Sequence, residues 1–169
     1  MELREVERVL QQLDDHDVRY WVLGGWGVDA LLGHQTREHR DLDLAVDATG
    51  WDTCLERATE LGYESETDWL PIRLELVSPH GWLDLHPVRF SESGDGVQAG
   101  PDATTYDYPK EHLTTGALGE RVVPCVSAAW QLRVHTGYEP RPQDLQDLAV
   151  LTSLVDETTP SRHQATGNA

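Results

Sequence analysis

Apolar residues recur near the start of the chain with a helical beat. Leu3, Val6, Val9, Leu10 and Leu13 form one stripe with charges between them, which predicts an amphipathic helix over residues 2–15. The spacing then changes. Residues 19–23 are a short apolar run, read as a strand, and it ends in Gly24-Gly25. Residues 26–32 return to helical spacing and stop at Gly33, a residue suited to the left-handed turn that ends helices. A polar loop from His34 to Arg40 leads into DLDLAVD (41–47), which alternates as a strand. Alternation puts Asp41, Asp43, Ala45 and Asp47 on one face and Leu42, Leu44 and Val46 on the other.

The rest of the chain continues in short elements. A helix over about 51–61 turns Cys54, Ala58 and Leu61 inward and ends at Gly62. Strands at about 72–77 and 82–88, joined by Ser78-Pro79-His80-Gly81, predict an antiparallel hairpin. In the second of these, Trp82, Asp84, His86 and Val88 face one way, and Leu83 and Leu85 the other. Residues 91–104, rich in Gly, Ser and Asp, read as a loop without a core pattern that borders an acceptor site. Short irregular strands follow between Tyr106 and Val126, and Ser127 caps a helix running through His135. Beyond Gly137 and the prolines at 140 and 142, a last helix over about 142–155 carries Leu145, Leu148, Ala149 and Thr152 as its stripe. From Glu157 onward no apolar residue of any size occurs. The expectation is one domain over residues 1–156 and a disordered tail over 157–169.

Charge narrows the classes of partner. With 13 Lys and Arg against 30 Asp and Glu in 169 residues, the formal charge is −17. Polyphosphate binding needs a basic face, so nucleic acid is excluded as the main partner and cationic small molecules fit better. The two cysteines, Cys54 and Cys125, have no metal-knuckle or redox spacing and read as buried free thiols. Neither a secretory leader nor an apolar run long enough to cross a bilayer is visible, and a cytoplasmic protein without membrane contact is expected.

Candidate chemistry concentrates between residues 20 and 47. Two same-face carboxylates repel, so Asp41 and Asp43 are either solvated at a sheet end or held together by a cation; the cation is favoured. Magnesium takes one or two carboxylates plus substrate phosphates. Gly24 and Gly25 let backbone approach closely, and a helix beginning near Trp26 aims unpaired N–H groups at an anion, although such a pair by itself is also a plain turn. Arg37 and Arg40 lie beside that point, where they serve a triphosphate or merely a solvated loop. His34 and His39 have poor spacing for zinc. Asp84, between two leucines, needs a backbone amide or a metal as partner.

The order Gly-Gly, short helix, Asp-x-Asp resembles the DNA polymerase beta-like nucleotidyltransferases. Within them, GGWGVD followed by QTREHRDLDL is similar to the lincosamide nucleotidyltransferases and more distantly to the aminoglycoside nucleotidyltransferases. DWLPIRLEL (68–76), WLDLHP (82–87), PCVS (124–127) and HTGYE (135–139) extend the likeness over roughly residues 20–150. The resemblance implies an α+β fold, a mixed sheet flanked by helices with further helices at the C-terminal end. It also implies transfer of a nucleotidyl group from a nucleoside triphosphate, ATP, to a hydroxyl of a small cationic molecule, with release of pyrophosphate. In that scheme Asp41 and Asp43 hold two Mg²⁺ ions, Asp84 binds the acceptor-side ion and takes the hydroxyl proton, and Gly24 and Gly25 cradle the triphosphate beside Arg37 and Arg40.

A lincosamide is the first implied acceptor and an aminoglycoside the second. Trp69, Arg73, Glu75 and His86 are the candidate pocket residues, being on or beside the strands that flank Asp84; each reads equally as an ordinary sheet-surface residue. A chain of this size admits a homodimer whose second subunit completes the pocket. Two other readings stay open: a nucleotidyltransferase fold repurposed for binding or other small-molecule chemistry, and a toxin–antitoxin nucleotidyltransferase that modifies a protein.

Overall fold

The computed structural model describes residues 1–134 and 140–158. The first apolar stripe forms α1 (Leu3–Asp14), which buries Val6, Val9, Leu10 and Leu13. Then come β1 (Tyr20–Val22), α2 (Gly24–Leu32), β2 (Asp41–Asp47), α3 (Trp51–Glu60), β3 (Glu64–Trp69), β4 (Arg73–Ser78) and β5 (Gly81–Phe90). The remaining elements are β6 (Gly96–Ala99), β7 (Thr105–Tyr108), β8 (Leu113–Leu118), β9 (Arg121–Val126), α4 (Ala128–Val134) and α5 (Pro142–Thr158). The expected positions His135 and Gly137 and the segment HTGYE lie outside the described residues, as does the tail from residue 159.

The strands form one mixed sheet in the order β3-β4-β5-β2-β1-β9-β8, with β6 and β7 added as a ribbon at the far end of β5. β2 runs parallel to β5 and antiparallel to β1, while β1 runs parallel to β9. The two faces bury different things. Leu42, Leu44, Val46, Leu83 and Leu85 pack under α1 and α3 with Cys54 and Cys125 in the main core. The opposite face carries Trp21, Leu23, Ala45, Val88, Tyr108, Val126 and Trp130. Alternation in β2 and β5 thus sends leucine to one face and aspartate to the other, as expected of strands buried on the leucine side. Burial pushes the Cys54 thiol up to about 12 and the Cys125 thiol up to about 11, so neither is a nucleophile. Among the described residues no helix is long and apolar enough to cross a membrane.

Four expectations about elements are corrected. α2 begins at Gly24 rather than near Trp26, with Gly24 itself in a left-handed conformation at the turn into it. β3 occupies a stretch to which the sequence pattern assigns no element, because an edge strand exposed on most of its positions has no apolar half to alternate. β6 lies inside the expected loop of 91–104: Gln98 is buried and Val97 is exposed, the reverse of the usual pattern. In α5 the inward residues are Asp144, Asp147 and Leu151, whereas Leu145, Ala149 and Thr152 face solvent. A helix can bury acids when each has a cationic partner, and Arg141 and Arg37 supply them.

Candidate active site

Asp43 and Asp84 sit directly opposite each other in the parallel pair β2 and β5. Asp41, two residues earlier on the same face, opposes Trp82. The three carboxylates line the floor of a cleft of about 450 Å³, together with Gly24, Gly25, Arg37, Arg73 and His86. Its side wall comes from Ile72, Tyr106, Tyr108, Trp130 and Val134, and its rim from Arg141, Asp144 and Asp147.

Asp84 is only 6% exposed. One oxygen, Oδ2, accepts a hydrogen bond from Arg73. The other, Oδ1, is buried without a hydrogen-bond partner. The His86 Nε2 atom lies 3.6 Å from it, beyond hydrogen-bond reach. Ligand atoms of Asp43, Asp84 and His86 all fall within 4.8 Å of one another. Burial, then the charges of Asp41 and Asp84, drive the Asp43 carboxyl well above the ordinary carboxylate range. Burial pushes Asp84 up to about 6 against the pull of the Arg73 guanidinium, and burial with the Arg73 charge pushes His86 down to about 4. An orphaned buried carboxylate oxygen facing a second disfavoured carboxylate is an oxygen donor set whose negative charge Arg73 offsets only in part. A divalent cation fits it.

The glycine turn is shaped by this floor. Gly24 has φ +58, a conformation costly for other residues, and a Cβ there would run into the Asp43 carboxylate. A Cβ on Gly25 would run into His39 and Arg37. The Leu23 amide donates to the Asp43 carbonyl at 2.9 Å and fixes the turn over the carboxylate strand. The leading N–H groups of α2 have no intrahelical acceptor and carry the positive end of its dipole, the environment an anion prefers.

Beneath the turn lies a pair that the sequence did not single out. Asp29 Oδ2 meets His39 Nε2 at 2.5 Å, and Asp29 Oδ1 accepts from the Thr36 backbone and hydroxyl at 3.0 and 2.6 Å. Burial opposes ionisation of Asp29, but the bonds from His39 and Thr36 outweigh it and hold its carboxyl below the ordinary range. The His39 ring packs on Trp26 with centroids 4.6 Å apart. Asp29→Ala leaves a buried imidazole without its acceptor and is expected to cost about 3 kcal/mol of stability by urea unfolding. A loss below about 1 kcal/mol would mean that the pair is not structurally required.

The other expected site residues separate into two groups. Arg37 lines the cleft but spans the Asp147 carboxylate, at 3.1 and 2.5 Å. Arg40 turns outward, bonded to Asp41 at 2.8 Å with its guanidinium 5.0 Å from the Trp82 ring. Arg73 and His86 line the cleft, whereas Trp69 and Glu75 do not. Trp69 is 55% exposed and packs on the Arg73 guanidinium, and Glu75 stands 3.4 Å from Arg73. Gln98, Tyr108, Trp130, Arg141, Asp144 and Asp147 also line the cleft and were not anticipated. Only the last three left a usable signal, an Arg-x-x-Asp-x-x-Asp run at helical spacing.

The raised carboxyls make metal-free stability depend on pH. An Asp84 that titrates near 6 when folded and near its ordinary value when unfolded keeps its proton longer in the fold. Its stabilisation is present below about pH 4 and is lost as pH rises through about 6; Asp43, shifted the same way, extends the loss upward. Asp29 and Glu5 shift downward and titrate below this window. His86, pushed down to about 4, instead adds stability as pH rises through its ordinary range and offsets part of the Asp84 loss, so the net fall is carried by Asp43. The melting temperature in EDTA is therefore expected to fall by about 5 °C or more between pH 5 and pH 7.5, with excess Mg²⁺ recovering most of the loss. A flat profile, or a fall that Mg²⁺ does not touch, would contradict the assignment of these shifts.

Comparison with known proteins places this geometry. The family model described as aminoglycoside-2''-adenylyltransferase matches residues 5–151. A lincosamide resistance protein of Staphylococcus haemolyticus is 35% identical over 153 residues, which span 90% of this chain and 95% of that protein. A 2''-aminoglycoside nucleotidyltransferase of Klebsiella pneumoniae is 41% identical over 130 residues, 72% of this chain and 66% of that one. The crystal structure of the lincosamide antibiotic adenylyltransferase LnuA with lincomycin bound superposes with a TM-score of 0.81 at 35% identity, covering 89% of this chain and 96% of that one. The family match takes in the carboxylate strands, the glycine turn and the acidic face of α5 alike, and the chain belongs to the aminoglycoside-2''-adenylyltransferase family.

Proposed function

We propose that this chain is a magnesium-dependent adenylyltransferase that moves AMP from ATP to a hydroxyl of a lincosamide-type antibiotic. The observation that carries the reading is the facing pair Asp43 and Asp84 with the Gly24-Gly25 turn closed against it. Asp41 and Asp43 on β2 and Asp84 on β5 would hold two Mg²⁺ ions. When bound, the ions neutralise triphosphate charge and make the attacking hydroxyl more acidic. The Gly24 and Gly25 backbone receives the phosphates, and Arg37 stands beside them. The free oxygen of Asp84 takes the hydroxyl proton as the acceptor oxygen bonds to the α-phosphorus. The bond from that phosphorus to its bridging oxygen breaks, and pyrophosphate leaves with the electron pair. Positioning and charge neutralisation account for such a step without a covalent protein intermediate.

Two observations favour a lincosamide. Identity to the Staphylococcus haemolyticus protein extends over nearly its whole length. The side wall is largely apolar, and among the described residues the cleft acids outside the carboxylate floor, Asp144 and Asp147, already face Arg141 and Arg37. A molecule with one amine and apolar arms suits that wall; a polyamine asks for several open carboxylates. An aminoglycoside acceptor is the second reading, favoured by the Klebsiella pneumoniae relative.

The test is mass spectrometry of reactions holding the protein, ATP and Mg²⁺ with lincomycin, with an aminoglycoside, or with no acceptor. Adenylylated lincomycin and pyrophosphate are expected. Product from the aminoglycoside alone would move the acceptor class, and product from neither would overturn the proposal.

A further inference from the structure

A chain of hydrogen bonds enters the cleft from the β6–β7 ribbon. The Tyr108 hydroxyl, on a side chain 1% exposed, lies 2.6 Å from Gln98 Oε1. Gln98 Nε2 lies 3.2 Å from the Ile72 carbonyl oxygen and 3.1 Å from His86 Nδ1. Chemistry fixes every donor in this chain. A carbonyl only accepts, so the amide nitrogen of Gln98 faces Ile72, and its oxygen is left to accept from Tyr108. The second N–H of that nitrogen then points at His86 Nδ1, which must offer a lone pair. A neutral imidazole with its lone pair on Nδ1 carries its proton on Nε2. That Nε2 is the atom turned toward Asp84 Oδ1.

We infer that Gln98 is a positioning residue that locks His86 in the Nε2–H tautomer, so that His86 presents a donor to the cleft and stays outside the cation's ligand set. A ring nitrogen bearing a proton has no electron pair for a metal. Of the three residues close enough to share an ion, Asp43, Asp84 and His86, only the carboxylates can then ligate. Those are the oxygen donors that magnesium takes, and the imidazole that draws zinc is withheld. His86, adjacent in the strand to Leu85 and Pro87, instead serves as a fixed hydrogen-bond donor to an oxygen entering beside Asp84.

The inference rests on reading the cleft as a cation site, but its first test does not. Histidine ¹⁵N spectra of the metal-free wild-type protein are expected to show His86 with a protonated Nε2 and a bare Nδ1. The opposite tautomer, or rapid exchange between the two, would overturn the inference while leaving the cation reading intact.

Gln98→Glu supplies the second test. A carboxylate keeps the shape and still accepts from Tyr108, but it turns from the Ile72 carbonyl, which also only accepts, and offers His86 only acceptors, so the ring proton should move to Nδ1 and Nε2 should gain a lone pair. Calorimetric titration with zinc chloride is expected to give at least about tenfold tighter binding in this variant than in the wild type. The gain should vanish in Gln98→Glu combined with His86→Phe. A gain that persists without His86 reflects added charge alone and would overturn the inference. Failure of wild-type protein to bind Mg²⁺ at all would remove the cation reading and leave the tautomer result standing.

Discussion

Asp84→Asn is expected to fold as the wild type does and to lose roughly 100-fold or more in turnover, the scale of a lost positioned base or metal ligand. Arg73 can only donate to residue 84, so the asparagine must turn its oxygen toward Arg73. Its NH₂ group then takes the place of the free Oδ1 and faces the cleft. The substitution thus puts a donor where both a cation and a departing proton require an acceptor. Removing a carboxyl that burial holds near 6 also relieves a desolvation cost, so thermal stability should not fall at neutral pH. Initial rates with the acceptor identified by mass spectrometry, beside circular dichroism and a thermal melt, give the result. Near wild-type turnover would deprive Asp84 of either role.

The second large effect is on nucleotide binding: ATP is expected to bind measurably only with Mg²⁺, and Asp41→Asn with Asp43→Asn to abolish the difference. The cations in and beside the cleft are committed. Arg73 holds Asp84, Arg40 holds Asp41, Arg37 holds Asp147 and Arg141 holds Asp144. A triphosphate entering alone meets three floor carboxylates in a chain of charge −17. One close like-charge pair costs about 4 kcal/mol at 4 Å and an effective dielectric of 20, so repulsion is decisive until divalent ions reverse it. Calorimetric titration of ATP in EDTA and in excess Mg²⁺ measures the coupling. Equal affinity in the two conditions would eliminate the two-ion mechanism.

The glycine turn and the carboxylate strand were legible in sequence because both obey local rules. Alternation assigns Asp41 and Asp43 a face without reference to any distant residue. Asp84 announced itself as a misfit between Leu83 and Leu85, although its register opposite Asp43 depends on a crossover that skips two strands. What local rules miss is burial made possible by a remote partner. Asp147 is turned inward only because Arg37, far earlier in the chain, reaches it, so an apolar count along α5 selects the wrong face. Asp29 and His39 conceal each other in the same way, and Gln98 is buried in a glycine-rich stretch because Tyr108 and Ile72 satisfy its amide. Trp69 and Glu75 were nominated by nearness to Asp84, and register does put them on its sheet face, but both pack against Arg73 outside the cleft lining.

The two walled-in thiols make the protein chemically quiet toward maleimides and iodoacetamides. A single cysteine engineered at Leu145, 55% exposed on the outer side of α5, would consequently be the one readily labelled position. A fluorophore attached there sits on the helix whose inner side carries Asp147, the partner of Arg37. It gives a direct optical readout of whether arriving phosphates draw that arginine away and shift the helix, in a protein that needs no background cysteines removed.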